Sequence, residues 1–277
     1  MFTLNCRGKL LLLETPLVMG ILNITDNSFY KGHLQEDLLA ITGKMLAEGA
    51  AIIDIGGQTT KPGSERLSAS IETERILPVI QSILEKYPDC IISVDTYQSA
   101  VANAAVQAGA RIVNDISGGE MDPLMIPTVA SLQVPYICMH MQGRPESMQD
   151  HPHYENVVKE VMDYFVKKIA ACQSAGIKDL IIDPGFGFGK TIDHNFQLLQ
   201  QLSAFQLLGK PILAGLSRKA SIYKTLATTP DNALNGTTVL NTIALLQGAS
   251  ILRVHDVKEA REAVQLIQAY KKAPSVN

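Results

Sequence analysis

The chain reads as an α/β protein, a single (β/α)8 TIM barrel with a short N-terminal β-hairpin. Three observations carry that reading. Eight short aliphatic runs alternate with eight stretches of helical spacing, no antiparallel hairpin interrupts the series, and most of the runs end on a polar residue. An all-apolar run is the signature of a parallel strand buried on both faces. The rival, a doubly wound sheet, usually has fewer strands and a glycine-rich phosphate turn after the first, which Asn23-Ile24-Thr25-Asp26 lacks.

The elements follow in order. Phe2 to Leu4 and Lys9 to Leu12 flank the turn Asn5-Cys6-Arg7-Gly8, a hairpin expected to plug the barrel floor. Leu17 to Asn23 is the first barrel strand; a polar loop leads to a helix near Leu34 to Glu48, stopped by Gly49. Ala51 to Ile55 is the second strand and Ile71 to Tyr87 its helix; Ile91 to Asp95 is the third, followed by a helix from Ser99 to Ala108. Arg111 to Asp115 is the fourth strand, and Leu124 to Leu132 is helical despite Pro127. Val134 to Met139 precedes a long helix from about Tyr154 to Ala175. Leu180 to Asp183 is the sixth strand, with a helix at Asn195 to Leu202. Pro211 to Gly215 and Ser250 to His255 are the last two strands, with helices at Ala233 to Gln247 and Val257 to Tyr270.

Composition sets bounds. The 277 residues are 46% hydrophobic and contain no linker-like stretch, so residues 1–277 form one domain. A net charge of -3, with no Lys/Arg cluster, excludes nucleic acid as partner. No stretch approaches the roughly 20 apolar residues of a membrane span, and Glu14 and Pro16 break the only N-terminal apolar run. Cys6, Cys90, Cys138 and Cys172 lie far apart and read as buried thiols in a reducing compartment, which points to the cytoplasm.

The richest stretch is Asp183-Pro184-Gly185-Phe186-Gly187-Phe188-Gly189-Lys190, where an acid ends a buried strand and alternating glycines let backbone approach a flat ligand between two phenylalanines. Barrel closure gathers the strand ends at one mouth, bringing Asn23, Thr60, Asp95, Asn114, Asp183, Lys219, Arg253 and His255 together. Any one of these polar residues alone is an ordinary turn former. Together they divide by chemistry. Asp95, Asn114 and Asp183 suit a heterocycle with an amino group and ring N–H donors. Asn23, Arg253 and His255 suit an anion with a metal, and Lys219 lies between the two groups.

The run Met19 to Thr25, Asp54-Ile55-Gly56-Gly57, Ser93-Val94-Asp95-Thr96, Val113 to Gly119, Met139-His140-Met141, Asp183 to Lys190, Leu216-Ser217-Arg218-Lys219 and Arg253 to Val257 together resemble the dihydropteroate synthases over nearly the whole chain. The resemblance implies a transferase joining p-aminobenzoate to 6-hydroxymethyl-7,8-dihydropterin pyrophosphate, with Mg2+ as cofactor, acting as a homodimer. It also implies that Asp95, Asn114, Asp183 and Lys219 bind the pterin edge, with Arg253 stacked on the ring and Met139 and Gly215 as walls. Asn23 would hold the metal, with Thr60, Arg253 and His255 on the diphosphate. Pro62, Phe188, Ser217 and Lys219 would face p-aminobenzoate, and Asp95, Lys219, Arg253 and His255 would be catalytic.

Two loops depart from the family pattern. Thr-Pro-Asp-Ser-Phe-Ser-Asp-Gly is Thr25 to Gly32 here, with Asp26, Asn27, Tyr30 and Lys31 changed, and Glu-Ser-Thr-Arg-Pro-Gly is Gln58-Thr59-Thr60-Lys61-Pro62-Gly63. Two other activities fit a pterin-binding barrel: methyl transfer from a folate to a corrinoid protein, and pterin binding without turnover. The first needs neither Ser217-Arg218-Lys219 nor the Arg253-Val254-His255 anion group.

Overall fold

The computed structural model describes residues 2–24, 34–58, 66–145 and 147–274, the side chains of residues 34 and 35 excepted. Eight parallel strands form the sheet: β3 (Leu17–Asn23), β4 (Ile52–Gly56), β5 (Ile92–Asp95), β6 (Ile112–Asp115), β7 (Tyr136–Met139), β8 (Leu180–Asp183), β9 (Leu213–Ala214) and β10 (Ile251–Val254). Their order, β8-β7-β6-β5-β4-β3-β10-β9, is closed into a barrel by a parallel bridge between Ile182 and Ile212. The seventh expected strand shrinks to two residues in β9. Pro211 has no N–H, so it joins the ladder only by accepting from the Ile182 amide at 3.0 Å.

Each expected helix forms: α1 (Leu34–Ala47), α2 (Ala69–Lys86), α3 (Ser99–Gln107), α4 (Met125–Leu132), α5 (Val157–Ala175), α6 (Ile192–Gln200), α8 (Leu234–Leu246) and α9 (Val257–Lys272). A single helical turn, α7 (Ala220–Tyr223), and 3-10 segments at Leu202–Leu208 and Pro230–Asn232 were not legible from spacing. Caps set the boundaries that periodicity misjudged. α5 starts at Val157 because the Asn156 side chain accepts from Lys159 N at 3.0 Å. α6 starts three residues earlier than expected, where Thr191 and His194 form a reciprocal capping box. Pro127 is harmless because it lies in the first turn of α4, whose N–H groups lack helical acceptors.

Side-chain alternation divides the core. Outward residues such as Val18, Ile53, Ile55, Val94 and Val113 pack against the helices. Inward ones make a separate cluster: Met19, Ile52, Ile91, Ile112, Ile137, Ile181, Leu213 and Ile251, capped by Leu4, Cys6 and Leu13 of the hairpin β1 (Phe2–Cys6) and β2 (Lys9–Leu13). The hairpin is the expected plug of the barrel floor. All four cysteines are free and buried. Among the described residues, no helix is long and apolar enough to cross a membrane.

One layer above this floor the interior turns polar. Asp54 is paired in register with Ser93, and Asp95 with Asn114. The apolar floor thus holds up a polar pocket. Leu4 is 2% exposed, so Leu4→Ala should cost about 2–5 kcal/mol in denaturant unfolding. A loss below about 0.5 kcal/mol would mean that the plug is not packed.

Candidate active site

The pocket is organised around Arg253, at the end of β10. Its Nε donates to Asp54 Oδ2 at 2.6 Å and its Nη2 donates to Asp95 Oδ2 at 2.6 Å. Asn114 Nδ2 donates to the same Asp54 oxygen at 3.0 Å. Burial works against the charge on Arg253, but Asp54 and Asp95 outweigh it and raise its pKa above the ordinary guanidinium value. Burial also raises the Asp95 carboxyl; Arg253 opposes the shift, and Asp54, Glu72 and Asp115 add to it. One guanidinium thus bridges two carboxylates at the centre of the pocket.

Asp183 ends β8, two strands from Arg253 around the barrel. Its Oδ1 accepts from Gly185 N at 2.8 Å. Burial raises its pKa, opposed first by Lys219 and then by the Gly185 N–H, Arg253 and Lys190. Gly215 separates it from Lys219: a Cβ there would lie 3.8 Å from Lys219 Nζ and 3.9 Å from Asp183 Oδ2. Lys219 donates to the Phe186 carbonyl and lies 4.7 Å from the Phe188 ring centroid. Desolvation, with Arg253, lowers Lys219 to about 8 against the pull of Asp183 and Asp95.

The glycine loop is held by donors on successive carbonyls. The buried Lys190 Nζ reaches the carbonyls of Gly185 at 2.9 Å and Phe188 at 3.0 Å, and His140 Nδ1 at 3.0 Å. Lys219 takes Phe186, Gln149 takes Gly187, and Tyr154 OH takes Gly189 at 2.9 Å. Gly185, at φ +70°, is irreplaceable because a Cβ would lie 1.9 Å from the His140 carbonyl oxygen.

Ser217 and His255 form the third group. Ser217 Oγ lies 2.9 Å from His255 Nδ1 and accepts from His255 N at 3.2 Å. In the tautomer whose N–H is on Nε2, the Ser217 hydroxyl donates to Nδ1 and that N–H points to where an anion can reach it. Burial, then Arg253, lowers His255 to about 4, with Asp256 opposing and Arg218 and Lys219 reinforcing. Arg218 braces the two loops from behind, with a two-pronged pairing to Asp256 at 2.9 and 2.8 Å and bonds to the Pro230 and Asp231 carbonyls.

Asn23 stands exposed at the end of β3, and a Cβ on Gly56 would lie 3.4 Å from its Oδ1 and 3.7 Å from Asp95 Oδ2. Met139 packs with Tyr97, Ile116, Met141, Met148 and Phe188 as an apolar wall. The structure thus brings Asn114, Asp95 and Arg253 together, joins Asp183 to Lys219 across Gly215, and pairs Ser217 with His255. Thr60 and Pro62 lie outside the described residues, as do the changed positions Asp26, Asn27, Tyr30, Lys31 and Lys61. The changed Thr59 also lies outside them, and the changed Gln58 donates to Tyr97 OH at 2.6 Å. Sequence reading passed over Asp54 and Lys190. An acid inside the aliphatic run Ile52 to Ile55 was a signal for Asp54, whereas Lys190 looked like the end of a flexible loop.

The pterin binding enzyme family matches residues 19–255. The dihydropteroate synthase of Escherichia coli strain K12 is 41% identical over 271 residues, spanning 96% of this chain and 95% of that one. The Haemophilus influenzae enzyme is 42% identical over 272 residues, 96% and 98% of the two chains. This chain belongs to the dihydropteroate synthase family. Among solved structures, the Xanthomonas albilineans dihydropteroate synthase with 4-aminobenzoic acid superposes at a TM-score of 0.91, with 40% identity, covering 98% of this chain and 99% of that one. The same organism's enzyme in complex with 7,8-dihydropteroate gives 0.87 at 38% identity, covering 98% and 99%.

Two outcomes test the site. Arg253→Lys cannot fork between Asp54 and Asp95, and losing charge-assisted bonds of about 1.5–3 kcal/mol should lower kcat/KM roughly 10- to 100-fold. Activity equal to the unaltered chain would remove Arg253 from the site. Affinity for the anionic pterin pyrophosphate should fall as pH rises through about 8, where Lys219 loses its charge, and Lys219→Arg should carry that affinity to higher pH. A flat calorimetric profile across that range would show that the ammonium does not meet the ligand.

Proposed function

We infer that this chain condenses 6-hydroxymethyl-7,8-dihydropterin pyrophosphate with p-aminobenzoate, releasing pyrophosphate, as a folate-pathway transferase. The observation that carries the reading is the hydrogen-bonded set of Arg253, Asp54, Asp95 and Asn114 at the mouth, in a chain that its family relatives match over nearly its whole length. Asp95, Asn114 and Asp183 offer acceptors to the amino and ring N–H edge of the pterin. Arg253 stacks its plane on the ring, and Met139 and Gly215 form walls of the slot.

The reaction needs no protein nucleophile. The bond between the methylene carbon and the diphosphate oxygen breaks with its electron pair leaving on oxygen. The carbon, left electron-poor and conjugated with the pterin, takes the lone pair of the arylamine, whose nitrogen then loses a proton to solvent. Asp95 stabilises the positive charge that develops on the ring, while Arg253, Lys219 and the His255 Nε2–H stabilise the leaving diphosphate. Ser217 and Phe188 face the arylamine and hold it in line with the carbon, which supplies most of what a weakly basic amine needs. The family resemblance assigns Pro62 to the arylamine and Thr60 to the diphosphate.

Mg2+ is the proposed cofactor. Among the described residues no group of three His, Cys, Asp or Glu side chains converges on one point. The exposed Asn23 amide oxygen beside Asp95 fits a hard cation that keeps few protein ligands and takes the rest from phosphate and water. Asn23 would hold the ion, whose chemistry is to neutralise diphosphate charge.

The proposed assembly is a homodimer, and the outer surface supports it. Val239 and Leu246 on α8, Leu266 and Tyr270 on α9, and Leu207 are exposed at 50% or more. Lys271 reaches the Leu245 carbonyl and Gln206 the Gln247 carbonyl, so these elements abut. Apolar surface of that kind suits a second copy. The enzyme would work in the cytoplasm, without nucleic acid or membrane.

A coupled assay decides the function. Pyrophosphate release should require p-aminobenzoate and should accompany pteroate formation; pterin binding without either product would favour a non-catalytic binder. The altered loops carry a further prediction, for they are three charge units more positive than the family pattern. Lysines at 31 and 61 favour diphosphate but remove the acid and Arg pairing expected to brace the arylamine side. The combined change Asp26→Pro, Asn27→Asp, Lys31→Asp, Gln58→Glu, Lys61→Arg should lower KM for p-aminobenzoate without altering pterin affinity. An unchanged KM would make the loop substitutions neutral.

A further inference from the structure

We propose that Asp54 is a positioning residue of the pterin site, one carboxylate oxygen setting both the plane of Arg253 and the amide orientation of Asn114. This rests on the synthase reading above. Asp54 is wholly buried on β4 and faces the barrel interior, between Ile21 of β3 and Ser93 of β5 in the ladder. Both of its recorded contacts fall on Oδ2: Arg253 Nε at 2.6 Å and Asn114 Nδ2 at 3.0 Å. Its Oδ1 is buried without a hydrogen-bond partner among the described residues, so the carboxylate does its work from one side.

Two consequences follow from donor and acceptor counting. A carboxylate can only accept, so Asn114 must turn its NH2 toward Asp54 and its carbonyl oxygen elsewhere. The amide is thereby fixed, and one N–H and the oxygen remain for a ligand. Arg253 has five N–H donors, and the Nε contact to Asp54 and the Nη2 contact to Asp95 engage the same edge of its plane. Two in-plane anchors stop rotation about the last bond and leave both faces free to stack, with three N–H groups for an anion. With the Asp95 contact alone, the guanidinium would pivot about a single hydrogen bond. Asp54 touches no reacting atom; it acts through its two neighbours.

Substitution of Asp54 by Asn keeps the shape and removes the charge that anchors Arg253, and with the amide oxygen in the Oδ2 position it leaves a buried NH2 without an acceptor where Oδ1 stood. We expect Asp54→Asn to raise the calorimetric Kd for 6-hydroxymethyl-7,8-dihydropterin pyrophosphate at least tenfold while KM for p-aminobenzoate changes less than about twofold. The effect should be non-additive: in an Arg253→Lys, Asn114→Ala background the same change should alter Kd less than about twofold, because the residues through which it acts are gone. A folded Asp54→Asn protein with unaltered pterin affinity would overturn the proposal, and so would an equal loss in both backgrounds. If Asp54→Asn does not accumulate in folded form, Asp54→Glu takes its place. It keeps the charge and moves the oxygen by one methylene, and weakened pterin binding with p-aminobenzoate KM unchanged supports the assignment, whereas full pterin affinity overturns it. The unaltered chain run beside the variants separates this from the reading beneath it: absence of pteroate formation there refutes the synthase reading, while the pterin-binding comparison still decides Asp54.

Discussion

The charge cluster of Arg253 with Asp54 and Asp95 is the constraint on which the rest of the pocket depends. Its groups lie inside a closed barrel, directly above a layer of aliphatic side chains, and water is a poor competitor there. Burial of one cation with two carboxylates is costly unless the hydrogen bonds are well made, and a barrel interior supplies strands rigid enough to make them. That rigidity explains the hairpin plug, which seals the floor under the polar layer.

A second buried cation performs a different task. Lys190 is 3% exposed and spends its ammonium on loop carbonyls and His140 rather than on a carboxylate. Desolvation pushes its pKa well down, with Lys219 adding to the shift and Asp183 opposing it. The glycine loop keeps its close backbone approaches because each carbonyl from Gly185 to Gly189 has a donor. The Phe186 carbonyl is thereby presented to Lys219, and the Phe188 ring lies beside the same ammonium. A stretch that reads as flexible is held rigid by its surroundings.

The rim is tuned in the opposite sense from the interior. Lys219 and His255 both lose basicity, the first to about 8 and the second to about 4, with desolvation the leading cause in each. An anionic ligand that arrives there meets a cation and a neutral imidazole rather than two fixed charges. This arrangement suits a leaving group whose charge grows during bond cleavage.

The sequence by itself determined the barrel and most of the mouth. Aliphatic runs such as Ile52 to Ile55 and Leu180 to Asp183 announce buried parallel strands, and Asp95, Asn114, Asp183 and Arg253 were readable because each sits at or near a strand's end. Caps such as Thr191 with His194 were not, since a capping box with His in third place looks like ordinary loop. Only the tertiary structure decided who pairs with whom. Asp54 and Arg253 are 199 positions apart, and Asp95 and Arg253 are 158 apart, so no local spacing encodes their contacts. The curvature of the barrel turns the inner faces of β10, β4 and β5 toward one another across β3, and the need to satisfy each buried charge then selects its partner.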